Sequence, residues 1–206
     1  MVTTGSYGEE NPFLPQDDKS YYGKIIFLNL QNPIPKIFSK GHRNPQGLFV
    51  GRDLILSTEH GDYGGDEINK IIYNNNYGYP ISSYGENYDF KDKILKKQET
   101  FKFLKNHETN NFKEPIFSFV PSIGISEIIE IPDTFSMYWK NNFMVSSLNA
   151  RSLYRVQFDS NFEKILYYEK IFVGERIRDL IFDEFSNKLY LALEDSGSLG
   201  IISIKN

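Results

Sequence analysis

Short runs of apolar residues, separated by clusters of Gly, Pro, Asn and Asp, recur along the whole chain. Such runs, when they are rich in aromatic and β-branched residues, predict β-strands joined by turns. Residues 51–53 and 183–187 separate paired runs and predict hairpin turns. We expect strands at residues 24–30, 48–58, 67–73, 116–120, 143–147, 152–159, 164–171, 178–182, 188–194 and 200–205.

Helical character is confined to residues 91–106, a segment rich in Lys and Glu. Because this segment lies between Pro80 and Pro115, we expect an excursion rather than a core element. The composition favours strands elsewhere, since the chain has two alanines, Ala150 and Ala192, against 14 Tyr and 17 Phe. The strongest helix former is nearly missing, which argues against a helical bundle or a doubly wound α/β fold.

One order of elements occurs twice: a basic residue, a strand, a turn, a second strand, an acidic loop and a third strand. Glu59 follows Arg43 by 16 residues, and Glu194 follows Arg178 by the same 16 residues. Regularly spaced strands are compatible with a sandwich, a barrel or a propeller, and a chance match in an all-β chain is a further alternative. Repeated strand units favour the blades of a propeller.

Two other regions vary this unit. Residues 127–159 form a looser version of it, and residues 3–6 with 23–30 are interpreted as its second half only. The first blade is therefore expected to be incomplete.

Several classes of protein are excluded by composition and charge. The chain has no cysteine, which removes disulfide scaffolds, thiolate zinc sites, iron–sulfur clusters and a cysteine nucleophile. Its net charge of −4 argues against a nucleic-acid partner. No apolar run approaches the roughly 18 residues of a membrane-spanning helix, and the first residues show no signal peptide pattern.

Four polar segments could carry chemistry. The sequence Gly-His-Arg-Asn-Pro-Gln-Gly-Leu at 41–48 places Arg43 in a rigid loop before a strand, where it could bind an anion or form a surface turn. Residues 59–67 combine carboxylates with glycines, which suits calcium but also occurs in solvated loops. Residues 74–80 form a turn followed by aromatic residues. The fourth segment is Arg-Ile-Arg-Asp at 176–179.

Alternation along a strand places Arg176 and Arg178 on one face. Two adjacent guanidinium groups repel each other unless an anion lies between them, so a multiply charged anionic ligand is one interpretation. The alternative is local pairing of Arg178 with Asp179 or Glu175.

Three histidines are present, and none has the spacing of a metal site or a nucleophilic triad. His42 and His60 could each act as a general base or be structural. His107 lies in the charged segment and is expected to be exposed.

At the four polar segments, the chain resembles the soluble dehydrogenases that use pyrroloquinoline quinone (PQQ), the glucose/sorbosone dehydrogenase family. The resemblance covers essentially the whole chain, because four motifs occur in the family's order and spacing. It implies a six-bladed β-propeller, an all-β fold of which 206 residues would supply about four blades. The chain would then match the C-terminal part of the family, as one partial propeller domain over residues 1–206.

The resemblance also implies cofactors and the residues that bind them. The expected PQQ contacts are Arg43, Asn44, Tyr88, Asn149, Arg176 and Arg178. The backbone carbonyls of Gly61 and Asp62 would hold the calcium ion that accompanies the cofactor, and Glu67 and Tyr77 would belong to a second calcium site. The implied reaction is oxidation of an aldose to its lactone.

Some positions depart from the family pattern. Asp62 replaces a proline, Tyr79 replaces a tryptophan, and residues 122–127 differ from the family's motif. Asn149 lies where some members have a lysine that reaches the cofactor, and it cannot supply that charge.

The largest departure concerns the catalytic base. The family's catalytic histidine lies upstream of the segments matched here, which leaves His60 as a weak substitute. We therefore expect no activity from this chain alone. The alternative is a non-catalytic propeller that binds calcium or an anion or serves as an interaction module. The family is typically periplasmic or secreted, and the sequence leaves localisation and oligomeric state open.

Overall fold

The computed structural model of the chain describes residues 1–6, 11–86 and 107–204. The predicted segment 91–106 and Tyr88 lie outside these residues. In the described part, the strands are β1 Val2–Thr4, β2 Lys24–Asn29, β3 Asn32–Lys40, β4 Pro45–Val50, β5 Ile55–Glu59, β6 Asp66–Lys70, β7 Phe117–Phe119, β8 Ile125–Glu130, β9 Phe143–Ser147, β10 Ser152–Phe158, β11 Ile165–Phe172, β12 Ile177–Asp183, β13 Lys188–Leu193 and β14 Ser198–Ile202. Single turns of 3₁₀ helix occur at Leu14–Gln16, Glu108–Asn110 and Met137–Trp139.

These strands form four antiparallel sheets within the described residues. Their orders are β1-β2-β3, β4-β5-β6-β7, β8-β9-β10-β11 and β12-β13-β14, so each sheet is a meander of consecutive strands. Both expected hairpin turns are present, between β4 and β5 and between β12 and β13. The all-β class and the repeated strand unit are thereby confirmed, while the number of blades stays a prediction. No described helix is long and apolar enough to cross a bilayer.

The chain divides into two compact units, Met1–Ser122 and Ile123–Asn206. The first contains β1 to β7 and the second contains β8 to β14. The assignment of the whole chain to one propeller domain stays a prediction.

Strand β3 was not among the expected strands, because Pro33 and Pro35 argue against a strand in the sheet interior. The structure places β3 at the edge of its sheet, where β2 is its neighbour among the described strands and a single bridge joins Lys40 to Asn76. The register between β2 and β3 shifts after Phe27, beside the proline-containing part of the strand. An edge strand with an irregular register tolerates the missing N–H groups of proline.

A buried lysine fastens the loop between β1 and β2 in the first unit. The Lys24 side chain is fully buried, and its Nζ donates to the backbone carbonyls of Leu14, Pro15 and Tyr22 at 3.0, 2.9 and 2.8 Å. Three carbonyl acceptors satisfy the three donors of the ammonium group, which makes its burial tolerable. Burial nevertheless lowers the pKa of Lys24 to about 8.

This lysine predicts a pH dependence of stability. The pKa of Lys24 falls from 10.5 to about 8 on folding, so between these values the unfolded chain binds more protons than the folded chain. The contribution of Lys24 to the free energy of unfolding should therefore rise with pH across that window. Urea titrations at about pH 7 and about pH 10 should show a larger increase for the wild type than for Lys24→Met. Equal pH slopes in the two proteins would contradict the prediction.

The second unit has a continuous apolar core. Strand β12 packs against β8 and β9, and the Ser126 hydroxyl donates to the Ile177 carbonyl at 2.6 Å. Buried and partly exposed positions alternate at the start of β13, whereas all five residues of β9, an interior strand of its sheet, are buried. The core residues are Ile131, Phe135, Met144, Leu153, Ile177, Leu180, Leu189 and Leu191.

Candidate functional site

The loop before β4 is held by a fully buried histidine. His42 Nδ1 lies 3.2 Å from Glu59 Oε1, and its Nε2 lies 2.8 Å from the Ser39 hydroxyl. Its ring stacks on Tyr77 with the ring centroids 4.5 Å apart. Both ring nitrogens are engaged and the side chain is 0% exposed, so His42 has a structural role.

Arg43 joins this loop to the acidic segment that follows β5. Its Nε donates to Asp62 Oδ1 at 2.6 Å, and its Nη1 donates to the His60 carbonyl at 3.0 Å. Its backbone N–H donates to Glu59 Oε2 at 2.9 Å. The Asp62 side chain is buried, so Arg43 already has a fixed anionic partner. Asn44 lies beside it, and the Asn44 carbonyl accepts from the His60 N–H at 3.1 Å.

Two buried carboxylates face each other on adjacent strands. Glu59 on β5 and Glu67 on β6 occupy paired positions. Asn69 Nδ2 lies between them and donates to Glu59 Oε1 at 2.7 Å and to Glu67 Oε2 at 3.1 Å. Burial, and then the charge of Glu59, raise the pKa of Glu67 well above its usual range. A cation at this pair would offset the unfavourable burial of negative charge.

The backbone packs closely around Gly61, next to this pair. A Cβ at Gly61 would lie 2.0 Å from the Gly64 carbonyl oxygen and 2.5 Å from that of Gly65, so only glycine permits this close packing. A cavity of about 10 Å³ is lined by residues that include Gly61, Gly65, Glu67 and Tyr77. That volume holds one water molecule or an ion of similar size.

The donor set fits calcium better than a softer metal. No group of three or more His, Cys, Asp or Glu side chains among the described residues is arranged to hold a metal ion. Calcium accepts backbone carbonyls, which Gly61 and Asp62 would provide for one ion, and carboxylates, which Glu67 would provide for the other. Tyr77 could contribute only through its backbone, because its hydroxyl donates to the Lys70 carbonyl at 2.6 Å and accepts from the Ile72 N–H.

The expectation that His107 is exposed is wrong. Its side chain is 1% exposed, Nδ1 lies 3.0 Å from the Ser82 hydroxyl, and the ring stacks on Tyr84 at 5.0 Å. Residues 107–113 fold back onto the turn at Gly78, where the Lys113 N–H donates to the Asn76 carbonyl. Burial lowers the pKa of His107, so it is neutral at pH 7.

Arg176 and Arg178 converge on a carboxylate that the chain itself supplies. Arg176 Nε donates to Glu194 Oε1 at 3.1 Å, and Arg178 donates to Glu194 Oε2 through Nε at 2.9 Å and through Nη2. The two guanidinium groups meet at one carboxylate, although Arg176 precedes β12 and Arg178 lies at the register shift between Ile177 and Asp179, so regular strand alternation is not the reason. Neither local alternative is the partner: the Asp179 carboxylate accepts from the Leu180 N–H and Glu175 from the Ser196 N–H.

Glu194 also explains the repeated spacing of 16 residues. In both copies of the unit, the glutamate accepts a hydrogen bond from the arginine that precedes it by 16 residues. Partial burial raises the pKa of Glu194, but the hydrogen bonds from Arg178 and Arg176 outweigh this and hold the pKa below its usual value. The repeat was visible in the sequence, whereas the direct contact was not predicted.

The predicted site residues are divided between the two units. Arg43, Asn44, Gly61, Asp62, Glu67 and Tyr77 lie in the first unit, and Asn149, Arg176 and Arg178 lie in the second. Asn149 is exposed in the turn between β9 and β10. The proposed substitute base, His60, lines the small cavity beside Glu67.

Comparison with known sequences identifies the family. The profile of the glucose/sorbosone dehydrogenase family matches residues 1–201, and the chain belongs to that family. Quinoprotein glucose dehydrogenase B of Acinetobacter calcoaceticus is 25% identical over an alignment of 241 positions, and the match covers 89% of this chain and 50% of that protein. Aldose sugar dehydrogenase YliI of Escherichia coli is 27% identical over an alignment of 210 positions, and the match covers 93% of this chain and 53% of that protein. The chain thus spans about half the length of these relatives.

Solved structures share the fold. The soluble aldose sugar dehydrogenase of Escherichia coli in its apo-form matches with a TM-score of 0.80 and 24% identity, over 98% of this chain and 60% of that one. The PQQ-bound aldose sugar dehydrogenase of Streptomyces coelicolor matches with a TM-score of 0.65 and 20% identity, over 94% of this chain and 55% of that one. These matches establish the fold predicted from the strand repeat and the motifs.

Proposed function

We propose that this chain is the PQQ- and calcium-binding portion of a quinoprotein sugar dehydrogenase whose substrates are aldoses. The observation that carries the proposal is the convergence of Arg176 and Arg178 on one carboxylate. Glu194 shows that the two guanidinium groups can bind a carboxylate together, and PQQ carries three carboxylates. The family match and the quinoprotein relative support the same conclusion.

The proposed contacts to PQQ come from residues of both units. Arg176 and Arg178 would bind carboxylates of the quinone, and Asn149, also in the second unit, would contact it as well. In the first unit, Arg43 and Asn44 would contact the cofactor, while Tyr88 keeps the role given by the family motif. Arg43 would do so while it retains Asp62, because that carboxylate is buried and 2.6 Å away.

Calcium would lie in the first unit. The carbonyls of Gly61 and Asp62 would hold one ion, and Glu67 with the Tyr77 backbone would hold another. When bound, PQQ would supply the acceptor for the hydride that is removed from C1 of an aldose, and the oxidised sugar would be the lactone. The residues of this chain bind and orient the cofactor and neutralise its charge.

None of the residues assigned above would serve as the general base that removes the proton from the sugar hydroxyl. His42 is engaged at both ring nitrogens, and His107 is buried against Ser82 and Tyr84. His60 lines the cavity but does not match the family's catalytic position. We therefore propose that the chain by itself binds the cofactor without oxidising sugar.

Calorimetry with PQQ in the presence of calcium tests the binding proposal. The wild-type chain should bind PQQ with micromolar affinity, and Arg178→Ala should weaken binding at least about tenfold, because a charge-assisted bidentate contact is lost. Arg52→Ala, in the exposed hairpin turn after β4, removes the same charge elsewhere and should leave the affinity unchanged. Equal weakening by both variants would mean that only net charge matters.

A dye-linked assay with glucose, PQQ and calcium tests the missing base. No turnover is expected, and robust turnover would contradict the proposal. If turnover occurred and were abolished by His60→Ala, His60 would be the base. If PQQ failed to bind but calcium still raised the melting temperature, the chain would be a calcium-binding module without quinone chemistry.

A further inference from the structure

The arginine pair in the second unit is neutralised from within the chain. Glu194 accepts from Arg176 and from Arg178, and its two oxygens are both used. The neighbouring Asp195 pairs with Arg151 at 3.3 Å and accepts from the Arg176 N–H at 3.5 Å. Two carboxylates therefore compensate most of the positive charge of three arginines, and an incoming anion meets a weak field.

The two arginine contacts differ in how firmly the carboxylate is held. Asp62, which binds Arg43, has a fully buried side chain. The Glu194 side chain is 36% exposed, and the arginines that hold it are 34% and 49% exposed. Exposed ion pairs contribute little to the free energy of folding because water and salt screen their charges. Glu194 can therefore separate from its arginines, whereas the buried Asp62 cannot separate from Arg43.

We propose that Glu194 is an internal competitor that occupies the arginine pair until a polycarboxylate ligand displaces it. The proposal rests on the function proposed above and adds a specificity-determining residue to it. A tethered carboxylate has an effective concentration of roughly millimolar at its own partners. A free monocarboxylate at lower concentration cannot displace it, whereas a rigid polycarboxylate gains from contacts beyond the pair. Glu194 thus selects against single carboxylates.

The Glu194→Gln variant tests this proposal with the whole chain and PQQ. The change keeps the shape of the side chain and removes its charge, so the arginines become accessible to an anion. Calorimetry should show PQQ binding about tenfold tighter than in the wild type. Glu184→Gln, which removes the same charge from the exposed turn between β12 and β13, should leave binding within about twofold.

A second measurement reports on displacement independently of PQQ. In an acetate titration of ¹⁵N-labelled protein, the Arg178 Nε–H resonance should reach half of its total shift at an acetate concentration at least about threefold lower in Glu194→Gln than in the wild type. An equal acetate response in both proteins, or PQQ binding that is unchanged or weaker in Glu194→Gln, would show that Glu194 is a structural partner only. Absence of PQQ binding in both proteins would instead reject the proposed function, while the acetate result would still decide the role of Glu194.

Discussion

Replacing Gly65 with alanine is expected to lower the free energy of unfolding by about 3 to 5 kcal/mol. The φ angle of Gly65 is +70°, and a Cβ there would lie 2.3 Å from the Gly85 nitrogen and 2.6 Å from the Tyr84 carbonyl carbon. Both contacts are with backbone atoms, which cannot rotate away as a side chain could. The acidic loop would have to separate from residues 82–85, and the small cavity beside Glu67 would open.

The neighbouring Gly64 provides a matched control. Its φ angle is +84°, but the nearest atom to an added Cβ is Val120 Cγ1 at 3.8 Å, an ordinary contact distance. Gly64→Ala should therefore cost only the left-handed backbone strain, about 1 to 2 kcal/mol. Urea denaturation of both variants measures the difference. Equal losses would show that close packing against Gly85 contributes nothing.

Calcium is expected to raise the melting temperature of the wild-type chain by about 5 to 10 °C when it is present at about 100 times its dissociation constant. Glu67→Gln should reduce this response by about half, because Glu67 is one of the two carboxylates that line the cavity and would hold one of the two proposed ions. The variant should also be at least as stable as the wild type in EDTA. The substitution removes a carboxylate that is costly to ionise because it is buried. The glutamine amide oxygen can still accept a hydrogen bond from Asn69.

These two outcomes together distinguish a metal ligand from a residue needed only for folding. A simple packing defect would lower the melting temperature in EDTA as well as in calcium. Glu130→Gln, at the exposed end of β8, is the charge-matched control and should keep the full calcium response. An undiminished calcium response in Glu67→Gln would reject Glu67 as a ligand.

Much of the strand framework was predictable because it depends on local pattern. Phe143–Ser147 has the same bounds as the predicted strand, and the turns at residues 51–53 and 183–187 join the expected pairs. Strand β3 was missed because its prolines are permitted only by its position at the sheet edge. That position is a property of the sheet and not of the segment.

The candidate site was predictable only in part. The motifs predicted Arg43, Gly61, Glu67 and the arginine pair as site residues, since the types and spacing of these residues carry the family pattern, and these assignments stay predictions. The motifs did not show that Asn69 bridges Glu59 and Glu67. The sequence shows that these residues are present, but it does not show which of their side chains lie within hydrogen-bond distance of each other.

His107 shows why burial could not be predicted from sequence. Charged neighbours indicated an exposed segment, but the chain returns at residues 107–113 and covers the turn at Gly78 with the histidine ring. Its contacts with Ser82 and Tyr84 join residues more than twenty positions apart along the chain. Local composition cannot report contacts over that separation.

The sequence by itself determined the all-β class, the repeated strand unit and the family, because strand periodicity, turn residues and motif spacing are local properties of the chain. Only the tertiary structure decided which carboxylate each arginine binds. Arg43 is held by a buried Asp62, and Arg176 with Arg178 by an exposed Glu194, which directly follows β13. Pairing across strands and burial set the strength of these contacts, so the structure separates a fixed ion pair from a displaceable one.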